Sequence, residues 1–194
     1  MLYQLFTVLF SLVIISSLAI SQEAPDMEKM MKLWEDMATP GDAHKKLDLF
    51  TGTWETSSKI WMGPGEPMVT KGSATISWAL NGLFQKQEYS GEMMGKPMNG
   101  IGYTGYDIYN KKYIAFWIDN SSSAFFSMEG TFDPSGKVLS LYGKMDDFMT
   151  GEHGKNIAYV MRIVDNDKFV FEMHDLAMGV ENNLTGEITY TRKK

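Results

Sequence analysis

Few side chains in this chain are of a type and spacing that could do chemistry. The only histidines are His44, His153 and His174, and there is no cysteine. Glu172 and His174 stand two apart in a strand-like segment, so they share a face; the same holds for Trp117 with Asp119 and Ser127 with Glu129. Facing inward, such pairs would set polar groups among aromatics, as in a small-molecule pocket; facing outward, they form a solvated surface. No Gly-x-Ser-x-Gly elbow and no His-Glu-x-x-His pair accompanies them, and no nucleophile, base and orienter fall together. The expectation is a binding protein, not an enzyme, with no cofactor.

Three other groupings suggest chemistry. Met145, Met149 and His153 recur every four residues, and thioethers with an imidazole select soft ions such as Cu(I) or Ag(I). His174, late in a strand, has the character of an axial haem ligand in a barrel. Gly100, Gly102 and Gly105 satisfy the glycine pattern of dinucleotide sites, but no helix follows to offer its N-terminus to a pyrophosphate. Those glycines instead let a strand bend or a large side chain lie across it. Asp165-Asn166-Asp167 lacks the glycine and terminal glutamate of a calcium loop and reads as a hairpin turn. Asn120-Ser121-Ser122 and Asn183-Leu184-Thr185 match glycosylation sequons, a coincidence if the source is bacterial.

The elements that must position these residues follow from periodicity. Leu5 to Leu18 is an almost unbroken apolar run, and Ala19 and Ser21 fit the small-residue positions of a signal-peptidase site, although no lysine or arginine precedes the run. Residues 1–21 are therefore expected to be a signal peptide cut after Ser21, with export to a periplasmic or extracellular compartment and no stable membrane insertion afterwards. Without cysteine there is neither lipobox nor disulfide, so a packed core must supply stability. About 170 residues remain, enough for one domain. The net charge of -6 and pI near 5.1 argue against nucleic acid and anionic membrane partners, which require a basic face.

Residues 22–42 form a helix and linker. From Pro25 to Met37 the apolar residues Met27, Met30, Met31, Trp34 and Met37 fall on one helical face, expected to pack on the rest of the domain. Ala43 to Phe50 is a second short helical turn. Residues 43–194 form the main domain, in which the period changes to two from Thr53 onward. About ten strands are separated by turn sequences such as Asn81-Gly82, Gly95-Lys96-Pro97 and Asp133-Pro134-Ser135-Gly136. With no crossover helix between them, these strands predict an up-and-down antiparallel barrel, entered through the sharp bend at Gly52 and plugged by Trp54.

Phe84 to Gly102, then Gly105-Tyr106-Asp107, Lys111-Lys112-Tyr113 and Trp117-Ile118-Asp119, resemble the bacterial DUF1579 family of uncharacterised proteins. His44 through Glu55 and Glu187 through Lys194 continue the likeness, which spans about residues 40–194; His174 stands where an aromatic or apolar residue is expected. The resemblance implies a calycin-like barrel of lipocalin-like shape and brings no catalytic residues. A barrel of this size either fills its interior or encloses a cavity. Sixteen methionines among 194 residues, together with Trp78, Phe84, Tyr89, Tyr103, Trp117 and Tyr142, suit an adaptable wall around a small apolar ligand. Glu129, Arg162 and Glu172 are the candidates for orienting one polar end of it, and His174 is a further ligand-binding candidate. A structural barrel with a filled lumen is the remaining alternative.

Overall fold

In the computed structural model, residues 26–177 and 184–194 are described, so the expected leader and its cut lie outside the described residues. Alternating burial along the chain produces ten strands: β1 Gly52–Ile60, β2 Met68–Ala79, β3 Phe84–Met93, β4 Lys96–Asp107, β5 Lys112–Asp119, β6 Phe126–Phe132, β7 Val138–Asp147, β8 Glu152–Asp165, β9 Lys168–Asp175 and β10 Leu184–Arg192. Each pairs antiparallel with its neighbour in sequence, and β10 returns to β1, with Arg192 opposite Trp54 and Gly186 opposite Ile60. The sheet is thus a closed up-and-down barrel without a free edge. Turn chemistry fixes the register: Met94 and Gly95 both take positive φ, 51° and 76°, in a two-residue hairpin that sets Met93 opposite Lys96.

Two short helices precede the barrel. In α1, Met27–Met37, the Asp26 side chain caps the start by accepting from the Lys29 amide at 3.1 Å. The expected apolar stripe forms, but Met27, Met30, Met31 and Trp34 are half or more exposed, Met37 is half-buried, and among the described residues no residue of α1 is buried. The expectation that α1 packs on the barrel is therefore corrected. The end of the barrel that it precedes is already occupied by α2, Asp42–Lys45, and the 3₁₀ turn Lys46–Phe50 that continues it.

That second pair forms the floor. Leu47 and Phe50 insert beneath Trp54, whose indole N–H donates to the Phe50 carbonyl at 2.8 Å. Phe169 meets Phe50 and Trp54 edge-on and stacks on Tyr190. Gln85 donates to the Leu47 carbonyl and the Thr51 hydroxyl, both at 2.7 Å, and Tyr113 donates to the Ala43 carbonyl at 2.8 Å. Arg192 lies 4.1 Å from the Trp54 ring and donates to the carbonyls of Thr51, Leu49 and Asn166. Among the described residues no helix is long and apolar enough to cross a membrane.

Candidate functional site in the barrel lumen

Strand parity decides what the lumen contains. Trp54, buried at 1% exposure, fixes the inward face of β1, and Thr56, Ser58 and Ile60 follow it at alternate positions. Carrying the register around the barrel assigns the inward face of every other strand, Tyr89 on β3, Trp117 and Asp119 on β5, and Phe169, Phe171, Met173 and Asp175 on β9 among them.

The lower half is packed solid by Leu47, Phe50, Trp54, Ile76, Leu139, Leu141, Phe169 and Tyr190. Higher up, Tyr89, Met128 and Ile157 are buried in the same cluster, but burial is less uniform. Gln87, Thr104, Ala115, Tyr159, Met161, Phe171 and Ile188 are in mid-strand and point inward, yet each remains only half-buried. Large rings here lie flat on the wall. A Cβ at Gly100 would stand 2.0 Å from the Trp117 ring and one at Gly102 2.9 Å from it; the Tyr89 hydroxyl lies equally close over Gly72 and Gly91. The glycine triplet noted in the sequence thus lends Gly100 and Gly102 to Trp117, while Gly105 accommodates Phe84 on the outside.

The upper polar groups are mostly paired. Asp119 accepts from the Trp117 indole at 2.8 Å and from Ser121; burial pushes its carboxyl upward, but these hydrogen bonds outweigh it and hold it below the usual range. The Tyr159 hydroxyl is pushed up to about 12 by burial, with a smaller contribution from the Asp119 charge. At the rim, Lys155 has a side chain 7% exposed and reaches Asp147 at 2.8 Å, Asp175 at 2.8 Å and Glu152 at 2.9 Å. Hydrogen bonds to these three carboxylates raise its ammonium well above the ordinary value. By contrast, Thr56 Oγ1 and Ser58 Oγ, each in a residue 4% exposed, have no hydrogen-bond partner among the described residues.

Of the ten sequence candidates, Trp78, Tyr89 and Trp117 face inward. Trp78 belongs to the floor, where its indole donates to Asp48 at 2.8 Å, while Tyr89 and Trp117 meet edge-on at 6.3 Å in the lumen wall. The other seven are on the outer face, and parity is the reason. Phe84 covers Gly105, and Tyr103 stacks on Phe116 at 5.1 Å. Glu129 pairs with Lys112 at 2.6 Å, and Tyr142 is 55% exposed. Arg162 pairs with Glu172 at 2.8 Å, and Glu172 also meets His174 Nε2 at 3.2 Å, outside the barrel. The haem reading therefore loses its ligand, because inward positions on β9 carry Phe169, Phe171, Met173 and Asp175 instead. Nor do the soft-metal candidates converge: Met145 faces inward against the core, Met149 is 64% exposed in a turn, and His153 lies 3.4 Å from Asp146.

Sequence reasoning did not single out Thr56, Ser58, Thr70, Tyr159, Met161, Phe171, Met173 and Ile188. Parity counted from Trp54 would have found the first two. An open groove of about 610 Å³ also runs along the outer wall of β2 to β5. Its polar groups are engaged locally, Glu88 with Lys86 and Asn120 with the backbone of Asn99 and Pro97.

The family model "Protein of unknown function (DUF1579)" matches residues 39–192, nearly the whole described barrel. The chain belongs to this family. Among solved structures, Rv2717c from M. tuberculosis is similar with a TM-score of 0.58 and 14% identity, covering 80% of this chain and 100% of that one, a likeness of fold alone. A redesigned β-barrel matches at a TM-score of 0.43 and 11% identity, with the same coverages. No curated protein matches the sequence.

Proposed function

We propose that this DUF1579 barrel is a binding protein that holds a small, largely apolar molecule in the upper half of its lumen, outside the cytoplasm, without covalent chemistry. The observation that carries the reading is a gradient along the interior: Leu47, Phe50 and Trp54 are buried at the floor, while Met161, Phe171 and Ile188 pack against the core yet keep part of their surface, and the Trp117 ring lies over Gly100 and Gly102. Met98, Met145, Met161 and Met173 contribute flexible thioether walls that adapt to an apolar guest. The Arg162, Glu172 and His174 cluster has catalytic residue types but sits on an outer strand face, which argues for a structural ion network. Export is supported by the apolar run from Leu5 to Leu18 and the small residues Ala19 and Ser21.

The test is titration with Nile red, a neutral apolar dye. Saturable binding is expected, weakened about tenfold by Met161→Trp, which fills the mid-lumen, and unchanged by Tyr142→Ala on the outer wall. A folded protein that binds no dye, or equal loss in both variants, would defeat the reading. Broad hydrolase and redox screens should stay at background, and turnover abolished by Glu172→Gln would overturn the non-enzymatic part. Mass spectrometry of exported protein should find the N-terminus within one or two residues of Gln22.

A further inference from the structure

Around α1 the two kinds of side chain separate completely. At about 100° per residue, Met27, Met30, Met31, Leu33, Trp34 and Met37 share an arc of about 160°, while Glu28, Lys29, Lys32, Glu35 and Asp36 hold the opposite side. The apolar arc is turned to solvent, with Trp34 70% exposed and Met27 64%. A helix of 11 residues is marginal by itself in water, so burying that arc is what would hold it.

The barrel does not cover it, because α2 and the turn Lys46–Phe50 already close the adjoining end. A second copy fits poorly. Met27, Met30, Trp34 and Met37 fall at heptad spacing, but about one and a half heptads fall short of a coiled coil, and Met31 and Leu33 replace the flanking charges that would specify pairing. A lipid surface accepts a broad arc of this kind, and tryptophan favours the boundary between headgroups and acyl chains.

The chain upstream points to the same place. Only eight residues separate Leu18, the end of the apolar run, from Met27, so the segment that directs export into a bilayer delivers α1 to its surface. A cut after Ser21 leaves α1 beside a free N-terminus, joined to α2 through residues 38–41 and able to lie flat. Its length of about 16 Å is half the hydrocarbon core, too short to cross. From Asp26 to Asp36 two lysines stand against four carboxylates, and the whole chain carries -6, so anionic headgroups repel it and zwitterionic ones do not.

We infer that α1 is a membrane-surface anchor, whose methionine, leucine and tryptophan side chains rest in the interface of a zwitterionic bilayer and hold the exported barrel there reversibly. This anchoring rests on export of the chain and holds whether or not the lumen takes a guest.

Co-sedimentation of the chain from Gln22 onward with phosphatidylcholine vesicles tests it, separately from the N-terminal mass that tests export. Saturable binding is expected, weakened about tenfold on vesicles enriched in phosphatidylglycerol at low salt. Met30→Glu with Trp34→Glu should weaken it by more than about tenfold, and Phe125→Ser on the outer wall should leave it unchanged. The double variant should melt with the parent, because α1 buries no residue, so lost binding is not lost folding. Phosphatidylcholine brominated on its acyl chains should quench the parent's tryptophan fluorescence, and Trp34→Phe should lose most of that quenching while still binding. No binding to phosphatidylcholine, binding kept by the double variant, or equal or tighter binding to phosphatidylglycerol would overturn the inference. A dimer that the double variant dissociates, without vesicle binding by the parent, would overturn it in favour of a second copy.

Discussion

Gly52 and His44 occupy positions that no other residue fills without cost. At Gly52 the backbone bends into β1 with φ of +137°, and a Cβ there would meet Arg192 Nη1 at 2.3 Å. Gly52→Ala should therefore lower stability by roughly 2 kcal/mol or more in denaturant titration, since it adds both backbone strain and a clash with the clamp over Trp54. His44 is 2% exposed; its Nδ1 accepts from the Gly41 amide at 3.1 Å, so Nε2 bears the proton, without a partner among the described residues. Burial lowers its pKa below the ordinary 6.5. Between the folded and unfolded values the unfolded chain binds more protons, so the stability tied to neutral His44 is complete above pH 6.5 and declines as pH falls through that value. Melting curves of the protein against His44→Asn, which keeps an acceptor for Gly41, should show this slope only in the parent. The short helical turn that carries His44 was legible in the sequence from Ala43 to Phe50. Thr56 and Ser58 were not, because small polar residues on a strand read as solvent-facing until a neighbour such as Trp54 fixes the parity.

At the scale of elements, periodicity and turn residues pointed to about ten strands, the number that forms, for both depend on local chemistry that a sequence displays. Facing is a different matter. Both faces of β3 to β5 carry aromatics, and outside the barrel Tyr103, Phe116 and Phe125 form a stacked run, so hydrophobicity could not say which ring lies within. Seven of the ten candidates consequently fell on the wrong side. For α1 the amphipathic pattern gave the helix but not its partner, since a stripe records what could be buried and not what is. Removing residues through Met37, or substituting Trp34→Ala, should leave the barrel's melting temperature unchanged, because α1 buries no residue. The rim cluster joining β7, β8 and β9 should behave in the opposite way. Lys155→Met strands Asp147 and Asp175 beside each other and should cost about 2 kcal/mol at neutral pH. Lys155 holds the Asp147 carboxyl below 3.8, so that contribution is present above this pH and lost on acidification. The stability gap between parent and variant should narrow as pH falls toward and below that value.

Across the whole molecule, methionine is distributed in two populations with different exposures to solvent and oxidant. Met27, Met30 and Met31 on α1 and Met62, Met94 and Met149 in the turns are at least half exposed. Met128 is buried in the core, and Met98, Met145 and Met161 pack partly buried against it from inward positions. The surplus noted in the sequence is thus no single feature: part is surface, part is lumen wall, and only closure of β10 on β1 separates them. Thioether oxidation follows exposure, and it turns an apolar, flexible side chain into a polar one. Mild peroxide treatment followed by peptide mass spectrometry should oxidise the helix and turn methionines first and the lumen set later. Saturation with Nile red should further slow Met98 and Met161 while leaving Met27, Met30 and Met149 at their original rates, because only the inner population shares its space with a guest. Equal protection of both populations would place the dye on the outer surface, and no protection of either would mean that the lumen does not hold it.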